Sequence, residues 1–176
     1  MFTINNKGRV CWIQRGEDRP QINIIQNPIQ VHVWGAIWWS GQSTLWIGTG
    51  NINESVYIDI LATHLLPCMP NSARYSLLQD NARPYTANHS MAFLAANNIN
   101  IMQNYPARSP DFNAIEHVWE WMKQNVAAKS PTTCLQLVKY INEARHALTT
   151  QHWHNYISHI HDVMLRCINA DGDFAD

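Results

Sequence analysis

Two acidic residues stand in contexts that suit chemistry. Asp80 follows the apolar run Tyr75-Ser76-Leu77-Leu78-Gln79 and precedes Asn81-Ala82-Arg83-Pro84. A carboxylate where a strand stops is held rigidly, yet its head reaches the rim of the sheet, where substrates bind. Glu116 closes the segment Ser109-Pro110-Asp111-Phe112-Asn113-Ala114-Ile115-Glu116, in the first turn of an amphipathic helix. It borders the apolar stripe, beside Ile115 and one turn before Trp119. Carboxylates converging from separate elements suit metal-assisted phosphoryl transfer. Mg²⁺ takes about six oxygen ligands, usually one or two carboxylates with waters and phosphate oxygens. Two such ions about 3.5–4 Å apart activate an attacking oxygen and stabilise a leaving one. Each acid also has a plainer reading. Asn113-x-x-Glu116 has the form of a capping box, in which Glu116 would only satisfy a backbone N–H. Asp80-Asn81 has the form of a turn opener.

Other residues compete for a role. His152, His154, His159 and His161 are dense in sequence, and two pairs of them share a helix face, but as helix-surface histidines they need no metal. Cys11, Cys68, Cys134 and Cys167 are far apart and include no C-x-x-C pair, so neither a zinc site nor a disulfide framework is expected. They read as reduced, mostly buried thiols of an intracellular protein. The eight tryptophans could stack on bases, but most read as core, with Trp39 and Trp121 at the surface. Arg83, Arg108 and Lys123 lie near the acids and are the candidate phosphate contacts; the alternative for each is solvated surface charge.

The elements that must position these groups follow from periodicity. Val10-Cys11-Trp12-Ile13 reads as a strand ended by the loop signal Arg15 to Pro20. Residues 31–39 are rich in β-branched and aromatic side chains and read as one strand, turning at Ser40-Gly41-Gln42 into a returning strand over 43–48. From Asn53, an N-cap, the apolar positions Val56, Ile60, Leu61 and Leu65 predict a helix ended by Pro67. Strands are expected at 75–79 and 98–102, with a helix over 86–97 between them. Pro106 and Pro110 bracket a loop. Ile115, Val118, Trp119, Met122 and Val126 form one apolar stripe. Leu135, Val138, Ile141 and Leu148 predict a second helix, and Trp153, Ile157, Ile160, Met164 and Ile168 a third. The tail from Asn169 reads as frayed. The order predicts a mixed α/β chain with no internal boundary.

Composition bounds the partners. The chain has 176 residues, which as a soft prior is one domain, and 46% of them are hydrophobic. Twelve basic residues face 13 acidic ones, for a net charge of −1. That excludes a basic DNA-wrapping domain and a polybasic membrane-surface module. No run approaches the roughly 18 apolar residues of a membrane span. Residues 1–7 lack the apolar region of a signal peptide.

At the two acids the sequence resembles a known family. Gln79-Asp80-Asn81-Ala82-Arg83-Pro84-Tyr85-Thr86-Ala87 is similar to the second catalytic block of the Tc/mariner superfamily of transposases. Tyr105-Pro106-Ala107-Arg108-Ser109-Pro110-Asp111-Phe112-Asn113-Ala114-Ile115-Glu116-His117-Val118-Trp119 resembles the third. Val33-Trp34-Gly35 and Gly48-Thr49-Gly50-Asn51-Ile52-Asn53, with Tyr57 and Leu61, resemble the intervening hairpin and helix. The departures are Tyr85 for a common His, Ala114 for Pro and Tyr105 for Trp; none touches a carboxylate.

The resemblance runs over nearly the whole chain and implies an RNase H-like α/β fold, a mixed sheet flanked by helices, over 1–176. It implies an Asp, Asp, Glu triad that binds Mg²⁺ or Mn²⁺, two ions in the intact family site, and cuts and rejoins DNA. By position, Asp80 is the second acid and Glu116 the third, with 35 residues between them. Asn81 and Asn113 fall beside them in supporting positions. DNA as partner, nuclear location and a possible homodimer come with the family.

Phe2-Thr3-Ile4 resembles the segment that follows the family's first Asp. No acidic residue precedes Glu17, and Glu17-Asp18 match an ordinary loop. The first acid, its strand and the helix-turn-helix DNA-reading domains are therefore expected to be missing. Losing one carboxylate of a cooperative site implies little or no strand transfer by this chain alone. The alternative is a non-catalytic RNase H-like remnant that binds nucleic acid or protein weakly. With its first strand absent, such a remnant would expose a sheet edge and fold poorly or associate.

Overall fold

The computed structural model describes residues 2–3, 29–69, 75–102 and 112–171. The expected strand at 10–13, Glu17, Asp18, Cys11 and Arg108 lie outside them. So do the prolines at 106 and 110 and the end of the tail.

β1 (Phe2–Thr3) pairs antiparallel with β2 (Gln30–Trp34), which pairs antiparallel with β5 (Trp46–Gly48). The apolar run expected as one strand over 31–39 breaks at Gly35-Ala36. The Ala36 N–H donates to Ser43 Oγ at 2.8 Å, and the Ser43 N–H donates to the Ala36 carbonyl at 2.9 Å. These bonds consume the ladder positions. The chain then forms a separate small hairpin, β3 (Ile37–Trp38) against β4 (Gly41–Gln42). Gly41 belongs to that hairpin and not to the turn, and the returning strand is only three residues long. A Cβ on Gly41 would come within 2.9 Å of the Trp38 indole, so only glycine lets the indole lie across it.

α1 (Glu54–Ile60) starts at Asn53 as expected, with Asn53 Oδ1 accepting the Val56 N–H at 2.9 Å. The helix widens into a π turn over Leu61–Leu65 and tightens into a 3₁₀ turn over Leu66–Cys68. Thr63 Oγ1 donates to the Asp59 carbonyl at 2.6 Å, a side-chain bond that competes with the backbone ladder. Pro67 therefore sits inside the final turn.

β6 (Ser76–Leu77) runs parallel to β7 (Asn100–Ile101). The connection is α2 (Arg83–Thr86) followed by α3 (Asn88–Ala96), not one helix over 86–97. Pro84 suits a first helical turn and starts α2 early. Ala87 is extended, with ψ 147°, and separates the two. Ser90, fully buried, donates its hydroxyl to the Pro84 carbonyl at 2.7 Å across that break.

α4 (Ala114–Ala128), α5 (Cys134–Ala147) and α6 (Thr150–Asn169) complete the chain. Two cores result. The first joins Val31 of β2 to Val118, Met122 and Val126 of α4 and Leu137 and Ile141 of α5. The second joins Tyr57, Leu61 and Leu65 to Met69, Leu94 and Ile99. Leu135, one of the apolar positions that predict this helix, is 83% exposed, because α5 turns Leu137, Ile141 and Ala144 inward. Arg145 ties α5 to the hairpin: its guanidinium donates to Gln42 Oε1 and, at 2.8 Å, to the Ser43 carbonyl. Cys68, Cys134 and Cys167 are unpaired thiols but half-buried, not buried, since each lies at a helix flank or end. Among the described residues no helix is long and apolar enough to cross a membrane.

Candidate active site

Asp80 lies three residues beyond β6, on a short exposed segment leading to α2. Its Oδ1 accepts the Ala82 N–H at 3.0 Å. The turn-opener reading is therefore realised, and it does not exhaust the group: a carboxylate offers about four lone-pair sites. Glu116 is the third residue of α4 and exposed. Asn113 caps that helix, with Oδ1 accepting the Ile115 N–H at 3.4 Å. The capping-box reading holds only on the Asn113 side; among the described residues the Glu116 carboxylate returns no hydrogen bond. A carboxylate in a first helical turn faces the positive end of the helix dipole.

The two acids line one cavity of about 280 Å³. Val33, Trp34 and Gly35 at the end of β2 form one wall, and Leu77, Gln79 and Asp80 another. Asn113, Glu116 and Trp119 close it from α4. A Cβ on Gly35 would lie 3.1 Å from the Trp119 ring, so glycine also preserves this wall. Of the residues expected at the site, the cavity brings together Asp80, Glu116 and Asn113. Asn81 and Arg83 are exposed beside Asp80 but do not line it, and Lys123 is half-buried two turns along α4.

Behind Asp80 lies a set of aromatic residues whose role sequence reasoning missed. Tyr57 is almost fully buried, and its hydroxyl donates to Gln79 Oε1 at 2.6 Å. Gln79 Nε2 donates to the Tyr85 carbonyl at 3.3 Å. The Tyr57 and Tyr85 rings lie 4.3 Å apart, and Trp34 meets Tyr57 edge-on at 6.5 Å. Burial raises the Tyr57 phenol well above its ordinary value, and the charges of Tyr85 and Asp80 add to this. Burial, then Asp80, pushes Tyr85 up to about 12. Both phenols stay protonated donors at neutral pH. One signal was available in sequence: Tyr57 shares the face of Leu61 and Leu65, so its hydroxyl is buried and needs a partner.

The donor set fits a hard divalent cation: two carboxylates and a side-chain amide, all oxygen ligands, on a cleft open to water. Among the described residues no group of three or more His, Cys, Asp or Glu is placed to hold a metal. The α6 histidines are used singly. His152 Nδ1 bonds Thr149 Oγ1 at 2.8 Å, His154 stacks on Trp39 at 4.0 Å, and His161 lies 3.8 Å from Asp162. His159 meets His117 edge-on at 5.6 Å. Trp39 is at the surface as expected, 55% exposed, while Trp121 is half-buried against His152.

Known proteins are similar to this chain in sequence and in fold. The family described as DDE superfamily endonuclease matches residues 1–138. The Tc3 transposase of Caenorhabditis elegans is 25% identical over 147 residues, 81% of this chain and 44% of its own length. The Tcb1 transposase of Caenorhabditis briggsae is 31% identical over 98 residues, 54% of this chain and 36% of its own. The chain thus spans less than half of the curated relatives it matches. The Mos1 strand transfer complex superposes with a TM-score of 0.77 at 20% identity, covering 100% of this chain and 53% of that one. The Mos1 transposase catalytic domain solved with Raltegravir and Mn gives 0.63 at 16% identity, covering 83% and 84%. The fold is that of the RNase H-like Mos1 transposase catalytic domain, the sequence is similar to the Tc3 and Tcb1 transposases, and the chain belongs to the DDE superfamily endonucleases.

Proposed function

We propose that this chain supplies Asp80 and Glu116 as two carboxylates of a divalent-cation site for cutting and rejoining DNA in cut-and-paste transposition. The observation that carries the reading is their meeting on one cavity from separate elements. When bound, Mg²⁺ or Mn²⁺ would supply Lewis-acid activation and charge stabilisation for in-line displacement at phosphorus. Asp80 and Glu116 would hold it, with Asn113 at the rim. Tyr57 and Tyr85 keep their protons and shape the wall behind Asp80. DNA as substrate is supported by relatives solved as strand-transfer and paired-end complexes. Nuclear location and pairing as a homodimer belong to the same proposal. Arg83, beside Asp80 in sequence, and Lys123, two turns beyond Glu116 on α4, are the candidate phosphate contacts, and with 12 basic to 13 acidic residues we expect weak duplex binding by this chain.

Because such sites act as units, Asp80 and Glu116 without a third carboxylate would bind a cation with little strand transfer. The test pairs Mn²⁺ calorimetry with a strand-transfer assay on a transposon-end duplex. Affinity should fall about tenfold or more in Asp80→Asn and in Glu116→Gln, with strand transfer near background. Affinity unchanged by both substitutions would remove the site. Strand transfer at the rates of intact transposases would overturn the two-carboxylate account.

A further inference from the structure

We infer that Tyr57 and Gln79 are positioning residues for Asp80, with the buried phenol fixing the Gln79 amide and the amide closing the loop that carries the carboxylate. This matters for chemistry only through the reading above, which gives Asp80 its role.

The connectivity carries the argument. Residues 79–85, a loop that runs into the start of α2, have their two ends joined by one side-chain bond, Gln79 Nε2 to the Tyr85 carbonyl at 3.3 Å. An amide can present either its oxygen or its nitrogen in a given direction. The Tyr85 carbonyl can only accept, so Nε2 must face it. Oε1 is then left to accept the Tyr57 hydroxyl at 2.6 Å, and the two bonds together hold the amide in one orientation. Tyr57 itself is confined by packing: it is almost fully buried on α1, against Tyr85 at 4.3 Å and Trp34 at 6.5 Å. Inside the closed loop, the Ala82 N–H holds Asp80 Oδ1 at 3.0 Å and selects its rotamer. The chain of causes runs from a rigid helix through a phenol and an amide to the carboxylate. Gln79 also lines the cavity, so an amide released from Tyr57 would turn within the space where Asp80 acts.

A merely structural role for Tyr57 would rest on its ring alone. Tyr57→Phe keeps the ring and removes the donor; Gln79→Met keeps the length and removes both bonds. The readouts are the χ1 couplings of Asp80 and the solvent exchange of the Ala82 amide by NMR in the full chain, with α4 and α5 amides as internal control. Mn²⁺ affinity is measured alongside. In both variants Asp80 should average over rotamers, Ala82 should exchange about tenfold faster and Mn²⁺ affinity should drop about tenfold, with the α4 and α5 amides unchanged. Asp80 couplings and Ala82 exchange unchanged in both variants would overturn the inference, whatever the metal does. Wild-type chain that binds no Mn²⁺ would instead sink the functional reading, while the coupling data still decide this one.

Discussion

The two acids reach one cleft from unlike scaffolds. Glu116 rides on α4, a 15-residue helix whose Val118, Met122 and Val126 lock into α5 and β2. Its place is set by helical register and apolar packing. Asp80 rides on a loop beside two-residue strands and a four-residue helix, over a core that includes Tyr57. Its place is set by directed hydrogen bonds. The difference teaches where each acid is vulnerable. Packing defects should disturb the Glu116 side through loss of stability. The Asp80 side should lose geometry at nearly constant stability when single polar atoms are removed.

The largest effect expected is on the helical core. Met122 is fully buried, so Met122→Ala should cost about 2–5 kcal/mol in urea or thermal unfolding. A loss below about 1 kcal/mol would mean that this core is not packed as described. Alkaline pH should strike the other core. Tyr85 has its folded value raised from 10.0 to about 12, so the neutral form is favoured in the folded state. Its contribution is whole below pH 10 and is lost as pH rises toward 12, at up to about 1.4 kcal/mol per pH unit. Tyr57, raised by the same burial, acts in the same sense. Stability measured across that window should fall, and more steeply than in Tyr85→Phe; equal slopes would refute the assignment.

A smaller change is expected at the α4 cap. The Asn113 bond to the Ile115 N–H is long at 3.4 Å, so Asn113→Ala should cost about 0.5–1 kcal/mol, at the low end for caps. Thermal melts with a larger drop would point to a second role for Asn113. The smallest effect is spectroscopic. Asp80 helps raise Tyr85, so Asp80→Asn should shift the phenol's absorbance titration slightly downward. An upward shift would place the two groups apart.

How far these features can be read from sequence depends on how local they are. The α4 stripe is legible because 3.6-residue periodicity persists from Ile115 to Val126, and the blocks around Asp80 and Glu116 single out two acids that line one cavity. The break at Gly35-Ala36 is not, because the hydroxyl that makes it comes from Ser43, across a hairpin. Leu135 fits an apolar spacing but loses to Leu137 once α5 docks through Ile141. The Tyr57–Gln79 bond joins residues 22 apart, so no local pattern announces it. Arg145 reaches Ser43 over a still larger separation, as a half-buried cation whose partners are a glutamine side chain and a backbone carbonyl.

The most direct measurement is Mn²⁺-induced broadening of backbone amide signals in the full chain, repeated in Asp80→Asn and Glu116→Gln. If the two scaffolds bring both acids to one cation, the signals around Asp80 and Glu116 will broaden together at low Mn²⁺, and either substitution will abolish both. Broadening at only one acid, or at His152 to His161 instead, would contradict the shared site.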